Sequence, residues 1–94
     1  MSDLVSLRAV VRGRVQGVYF RDFILGYATA LGLTGYVRNL PGGAAVEVEV
    51  EGEKAKLEEL INHLKVGPPH ARVDAMDIEW SEYRGIHTDF SVRY

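Results

Sequence analysis

A glycine-bounded loop followed by an arginine is the part of the sequence best suited to bind a small anion. The segment Gly13-Arg14-Val15-Gln16-Gly17-Val18-Tyr19 comes directly before a pattern typical of a helix. Successive main-chain N–H groups in such a loop can converge on one anion, and the positive end of the helix dipole strengthens the binding. Arg21 follows in the first turn, where its side chain can point back over the loop. These residues predict a site for a phosphate or a carboxylate.

The loop also has a plainer interpretation, because a Gly-x-x-x-Gly spacing before a helix occurs in ordinary structural turns. No Lys-Ser or Lys-Thr pair follows the second glycine, and no Gly-x-Gly-x-x-Gly segment occurs in the chain. Both nucleotide-binding patterns are therefore missing, and we do not expect nucleotide binding. The histidines, His63, His70 and His87, lack the spacing of metal ligands, so we expect no metal site.

The elements that position this loop can be predicted from the spacing of apolar residues. Alternating apolar residues over 5–12 predict a strand that leads into the loop. Apolar residues at helical spacing follow, from Phe20 onwards, and predict the first helix. A short strand over 33–39 ends at Asn39, and the turn Leu40-Pro41-Gly42-Gly43 then begins a hairpin.

The second half of the sequence contains the clearest strand. Valine and glutamate alternate over 46–51, which predicts that the valines are buried and that Glu47, Glu49 and Glu51 face solvent. The remaining predicted elements are a helix over 53–66, a strand over 73–82 that contains a bulge, and a short strand over 90–94.

The order of these elements is βαββαβ with a short extra C-terminal strand. It predicts an α+β fold, the ferredoxin-like two-layer sandwich, with both helices on one face of a mainly antiparallel sheet. In this topology the first two strands run parallel with the third between them, so the loop 13–19 and Asn39 meet at one edge. A chain of 94 residues that is 47% apolar can form its own core, and we expect a single domain over 1–94.

Two motifs stand at this edge of the predicted sheet. The first is Gly13-Arg14-Val15-Gln16-Gly17-Val18-Tyr19-Phe20-Arg21, and the second is Gly35-Tyr36-Val37-Arg38-Asn39. Together they closely resemble the acylphosphatases. The similarity extends to Gly67-Pro68, to Ala71-Arg72-Val73 and to the last five residues. The turn Gly42-Gly43-Ala44-Ala45 departs from the family pattern, because it reaches the next strand one residue later than usual.

The resemblance implies an enzyme that hydrolyses the carboxyl–phosphate bond of small acyl phosphates. Its small-molecule partners would be the acyl phosphate substrate and inorganic phosphate, and it would use no cofactor, no metal and no phosphoenzyme. Arg21 and Asn39 would be the catalytic residues, with Asn39 positioning the attacking water. The phosphate-binding residues that the resemblance implies are Val15, Gln16, Gly17, Val18, Tyr19 and Arg21.

This set of residues suits the chemistry of an acyl phosphate. The leaving group is a carboxylate whose acid has a pKa near 4, so it departs without a general acid. Phosphoryl transfer passes through a loose transition state, for which alignment and charge stabilisation are sufficient. The amide oxygen of Asn39 can accept a hydrogen bond from water and hold it in line. Phosphate monoesters, whose alkoxide leaving groups need protonation, would be poor substrates.

The amino-acid composition excludes several other classes of function. The chain has no cysteine, which excludes a disulfide framework, a thiolate zinc site and cysteine-nucleophile chemistry. No apolar run is long enough to span a membrane, and the first residues do not resemble a signal peptide. The net charge of -2 argues against general nucleic-acid binding. We expect a cytoplasmic monomer with no nucleic-acid and no membrane partner.

Two other classes of protein share this order of elements. An RNA-recognition domain would need aromatic residues on the strand over 44–52, where this chain alternates valine and glutamate. A regulatory ligand-binding domain of the same topology is the other alternative, and turnover of a simple acyl phosphate distinguishes it from an enzyme.

Overall fold

The computed structural model describes residues 3–94, so the first two residues of the expected domain lie outside the described part. Five strands and two helices follow one another in the predicted order. They are β1 (Leu4–Arg14), α1 (Phe20–Ala30), β2 (Thr34–Asn39), β3 (Ala45–Glu53), α2 (Lys54–Val66), β4 (Arg72–Glu82) and β5 (Phe90–Arg93).

The strands form one sheet in the order β4-β1-β3-β2-β5. β3 is antiparallel to both β1 and β2, β4 is antiparallel to β1, and β5 is parallel to β2. The predicted ferredoxin-like fold is confirmed. Because β1 and β2 run parallel on either side of β3, both strands end at the same edge of the sheet. The Gly13 N–H donates to the Ala44 carbonyl over 2.9 Å and joins the end of β1 to the hairpin turn.

The face of the sheet that packs against the helices is apolar. Alternate residues of β1 and β3 point to this side, and the apolar faces of α1 and α2 pack against them. No helix within residues 3–94 is both long and apolar enough to cross a membrane. The core side chains with no exposed surface include Leu7, Ala9, Val11, Ile24, Ala28, Val37, Val46, Val48, Val50, Leu57, Leu60 and Leu64.

The predicted bulge in the fourth strand is present. Arg12 lies opposite Ala75, whereas Gly13 lies opposite Val73, so Asp74 is an extra residue in β4. A bulge increases the local twist and turns the end of a strand. It lies where β1 leaves the sheet and the loop that leads to α1 begins.

The prediction that the β3 glutamates face solvent is wrong. Glu47 and Glu51 are only 4% and 1% exposed, although they lie on the face opposite the helices. The segment 83–89, which connects β4 at one side of the sheet to β5 at the other, accounts for the burial of Glu51. Its Arg84 N–H donates to Glu51 over 2.8 Å, and the Arg84 guanidinium contacts Glu49. The segment 83–89 therefore covers part of the sheet face that the sequence pattern predicts to be exposed to solvent.

Glu47 is the centre of a charged cluster on this face. Arg8 and Arg38 donate to its carboxylate through Nε over 2.8 and 2.6 Å, and the Tyr36 hydroxyl donates over 3.1 Å. Burial alone raises the pKa of Glu47, but the hydrogen bonds from these three residues together hold it below its ordinary value. Burial and hydrogen bonds to Glu49 and Glu47 raise the pKa of Tyr36. The cluster thus stabilises the ionised form of Glu47.

Candidate active site

The loop between β1 and α1 turns through two left-handed residues. Gly17 has a φ of 72°, and a Cβ built on it would meet nothing within 4 Å, so its backbone borders open space. Tyr19 has a φ of 61° and stands immediately before α1, where its carbonyl accepts the Phe23 N–H over 3.0 Å. A left-handed tyrosine is uncommon and costs about 1 kcal/mol. Backbone strain of this kind concentrates at functional sites.

A cavity of about 340 Å³ lies beside this loop. Its walls come from the loop, the first turn of α1, the end of β2 and the C-terminal end of the chain around β5. The predicted meeting of the loop with Asn39 is confirmed, since both line this cavity. The lining residues are Val15, Gly17, Tyr19, Phe20, Arg21, Asp22, Asn39, Val92 and Tyr94.

Most of the predicted site residues come together at the cavity, and two have side chains engaged elsewhere. Within the described residues, Gln16 and Val18 are not part of its lining. The Val18 side chain is 7% exposed and belongs to the hydrophobic core. The Gln16 side chain hydrogen-bonds to the β2–β3 hairpin. A contribution of these two residues to anion binding must therefore come from their main-chain N–H groups.

Arg21 is the cation of the cavity. It lies in the first turn of α1, as predicted, and no residue among 3–94 forms an ion pair with it. Its Cζ lies 4.7 Å from the centre of the Tyr94 ring, a cation–π contact that leaves the guanidinium donors free. Asp22 is exposed at the rim of the same cavity. A guanidinium without a carboxylate partner can donate two parallel hydrogen bonds to two oxygens of an anion such as phosphate.

Asn39 supplies an unused hydrogen-bond acceptor. It is the last residue of β2 and pairs with Val46 of β3, so its backbone is fixed by the sheet. Its Oδ1 is buried and has no hydrogen-bond partner in the described part of the chain. A buried amide oxygen left without a hydrogen bond costs about 1 to 3 kcal/mol, so the site favours a ligand that donates a hydrogen bond to it. Water is such a donor.

Sequence reasoning missed Tyr94 and Val92 as parts of the cavity. The last strand was predicted, but its neighbour in the sheet was not. β5 lies parallel to β2 and pairs Arg38 with Arg93, which brings residue 94 beside Asn39. Only the pairing of β5 with β2 could have shown that these residues line the cavity, and no pattern in the last five residues indicates that pairing.

The face of β3 that an RNA-recognition domain would use carries a different set of residues. Glu47, Glu49 and Glu51 occupy this face and accept hydrogen bonds or ion pairs from arginines. Carboxylates repel a polyanion, and they offer no surface for base stacking. The surface does not favour the RNA-binding alternative.

Comparison with known proteins agrees with this geometry. A family model described as "Acylphosphatase" matches residues 7–92. An acylphosphatase from Caldivirga maquilingensis is 53% identical over 96 residues, which cover 100% of this chain and 99% of that protein.

Solved structures give the same result. The crystal structure of acylphosphatase from Bacillus subtilis superposes with a TM-score of 0.91 at 34% identity, covering 96% of this chain and 99% of that one. Full-length HypF, in a phosphate- and nucleotide-bound form, contains a similar unit with a TM-score of 0.84 at 29% identity, in which this chain covers 12% of that chain. Because the family model spans nearly all of the described residues and the first relative matches from end to end, the chain belongs to the acylphosphatase family of hydrolases.

Proposed function

We propose that this protein hydrolyses small acyl phosphates to a carboxylate and inorganic phosphate by direct attack of water on phosphorus, without a metal ion. The observation that supports the proposal most is that Arg21 and Asn39 line one cavity at the N-terminus of α1. Family membership supports the class of reaction. The roles of the individual residues follow from their chemistry.

The phosphate group is bound by the loop and by Arg21. Main-chain N–H groups of Val15, Gln16, Gly17, Val18 and Tyr19 form the cradle, at the positive end of the α1 dipole. The Arg21 guanidinium pairs with phosphate oxygens and stabilises the charge that these oxygens carry in the transition state. The loop N–H groups and Arg21 both bind the phosphate, and the acyl group lies outside the cradle.

Asn39 holds the attacking water. Its unpaired Oδ1 accepts one hydrogen bond from the water and fixes the oxygen atom in line with the scissile P–O bond. An amide is too weak a base to remove the proton, which passes to an oxygen of the substrate phosphate. The P–O bond to the acyl group breaks with its electron pair, and the carboxylate leaves without protonation because its acid has a pKa near 4.

Hydrolysis of benzoyl phosphate in the presence of excess chelator tests this proposal. We expect turnover that the chelator does not reduce, and no measurable turnover of p-nitrophenyl phosphate, whose leaving group is a poorer one. No hydrolysis of benzoyl phosphate would contradict the proposed activity. Equal hydrolysis of both compounds, or full inhibition by the chelator, would contradict the proposed mechanism.

The expected single domain, cytoplasmic location and monomeric state stay predictions. Gel filtration with light scattering measures the monomeric state directly, and a mass near the 10.5 kDa of the chain is the expected result.

A further inference from the structure

The Gln16 side chain joins the phosphate loop to the β2–β3 hairpin. Its Nε2 donates to the Leu40 carbonyl and to the Ala45 carbonyl, both over 2.9 Å. These residues flank the turn, with Leu40 directly after β2 and Ala45 at the start of β3, and the Leu40 N–H also donates to the Ala45 carbonyl over 2.9 Å. One carboxamide of the loop therefore binds both sides of the hairpin where it closes.

The turn of this hairpin is exposed, so bonds at its base are needed to fix its position. Gly42 and Gly43 adopt φ values of 102° and 80°, and a Cβ on either would meet nothing within 4 Å. Glycines in an exposed turn leave the backbone with large conformational freedom. A bond across the base of the turn removes this freedom at Leu40, the neighbour of Asn39.

Asn39 depends on its backbone for its position. Its Oδ1 is buried and has no hydrogen-bond partner among residues 3–94. The position of this oxygen therefore depends on the backbone of Asn39, which the sheet holds on one side and the start of the turn holds on the other. The Gln16 bond to the Leu40 carbonyl ties the residue next to Asn39 to the phosphate loop, whereas the Gly13 N–H bond to the Ala44 carbonyl ties the far side of the turn.

We infer that Gln16 is a positioning residue, whose side chain fixes the water-binding Asn39 relative to the phosphate cradle. The inference rests on the proposed function and assigns Gln16 a role separate from that of its main-chain N–H. The side chain contacts no substrate and acts through the hairpin. The distance between the water and the phosphate strongly affects the rate, since a displacement of about 1 Å between reacting groups lowers a rate about 10²-fold.

Two substitutions test the inference. Gln16→Met keeps the length of the side chain and removes the donor, whereas Gln16→Asn keeps the carboxamide and shortens its reach. We expect kcat for benzoyl phosphate to fall about tenfold or more in both variants. We expect the inhibition constant of inorganic phosphate to change by less than about threefold, because the cradle and Arg21 still bind the phosphate. Thermal unfolding shows which variants are folded, and either one is sufficient for the test.

A double-mutant cycle with Asn39→Ala separates positioning from a general structural role. If Gln16 acts through Asn39, Gln16→Met has little further effect on kcat in the Asn39→Ala background. Multiplying effects in the double variant would overturn the inference. So would a rise in the inhibition constant of phosphate that equals the fall in kcat, since this indicates direct binding of phosphate.

A spectroscopic measurement keeps the inference independent of turnover. In ¹H–¹⁵N spectra of the wild-type chain with inorganic phosphate, we expect the two Asn39 side-chain amide protons to give resolved, sharp signals. In Gln16→Met these signals should change in chemical shift and broaden, because the carboxamide no longer holds one position. Unchanged Asn39 signals would contradict the inference even if the wild type hydrolyses acyl phosphates, whereas an inactive wild type with the expected shift would contradict only the proposed function.

Discussion

At the level of single residues, the candidate site combines one cation with one uncharged acceptor. Arg21 has no carboxylate partner among the described residues, and the Asn39 Oδ1 has no donor. The two groups have different tasks, because only Arg21 carries a charge that attracts phosphate, whereas only Asn39 offers an oxygen to water. Substitution should therefore separate binding from turnover.

Removal of either side chain should lower turnover by about 10²-fold or more. Arg21→Ala should also abolish inhibition by inorganic phosphate, whereas Asn39→Ala should leave this inhibition intact, because Asn39 binds water and not phosphate. Steady-state kinetics with benzoyl phosphate and phosphate as inhibitor measures both effects. The matched controls are Asn62→Ala on the exposed side of α2 and Arg72→Ala on β4, outside the cavity. Near-normal hydrolysis by Arg21→Ala or Asn39→Ala would show that the assigned roles are wrong.

The Tyr94 ring should make a smaller contribution through Arg21. A cation–π contact at an exposed site is worth about 0.5 to 1 kcal/mol. Tyr94→Ala should therefore raise the inhibition constant of inorganic phosphate about two- to fivefold, since the guanidinium becomes more mobile. Tyr94→Phe keeps the aromatic face and should match the wild type. Equal losses in both variants would indicate that the hydroxyl, and not the ring, is important.

At the level of elements, the close approach of β2 and β3 places Asn39 on its side of the cavity. Gly35 lies in β2 with a φ of 146°, and a Cβ at this position would overlap the main-chain carbonyl of Glu49. The neighbouring backbone cannot yield without breaking the pairing of Gly35 with Val50. Gly35 is therefore a requirement of the sheet that carries Asn39.

Gly35→Ala should destabilise the protein by about 2 kcal/mol or more, because it combines backbone strain with a steric overlap. Gly26 in the middle of α1 is the matched control, since a Cβ there would meet nothing within 4 Å. Gly26→Ala should stabilise the protein by about 0.5 to 1 kcal/mol. Equilibrium unfolding in urea measures both changes. A Gly35→Ala variant as stable as the wild type would refute the overlap.

At the level of the whole molecule, the connection 83–89 and the arginines of β1 and β2 enclose the glutamates of β3. Glu47 is kept ionised by Arg38, Arg8 and Tyr36. A carboxylate whose pKa is lower in the folded state binds fewer protons there than in the unfolded chain. Its contribution is present above the unfolded pKa of about 4.3 and is lost as the pH falls through the lower, folded value.

Glu47→Gln should lower the free energy of unfolding by about 2 kcal/mol at pH 7, because it removes charge-assisted hydrogen bonds. The difference between the wild type and the variant should shrink as the pH falls below the unfolded pKa of about 4.3 and the wild-type carboxylate becomes protonated. Glu58→Gln on the exposed side of α2 is the control and should stay within about 0.5 kcal/mol of the wild type. A difference that is constant over this pH range would contradict the role given to Glu47.

The sequence predicts local features and topology better than contacts between distant segments. Alternation in β1 and β3, the helical spacing after Phe20 and the order of elements were sufficient for the fold, and the order brought Asn39 to the loop. The burial of Glu51 and the place of Tyr94 were not predictable in this way. Both depend on where the segment after β4 crosses the sheet, which is a property of the assembled chain and has no local pattern.

β4 is an edge strand of the sheet, so it is a place where a second copy of the chain could pair. A strand of 11 residues at the border of a sheet offers free main-chain groups to any second strand. Asp74, Asp77, Glu79 and Glu82 lie along this strand, and arginines of β1 and β4 form ion pairs with the first three of these carboxylates. Two copies aligned border to border would bring these carboxylates together, so the acidic charge that the arginines leave unbalanced discourages self-association at neutral pH, and acidification or high salt weakens that protection.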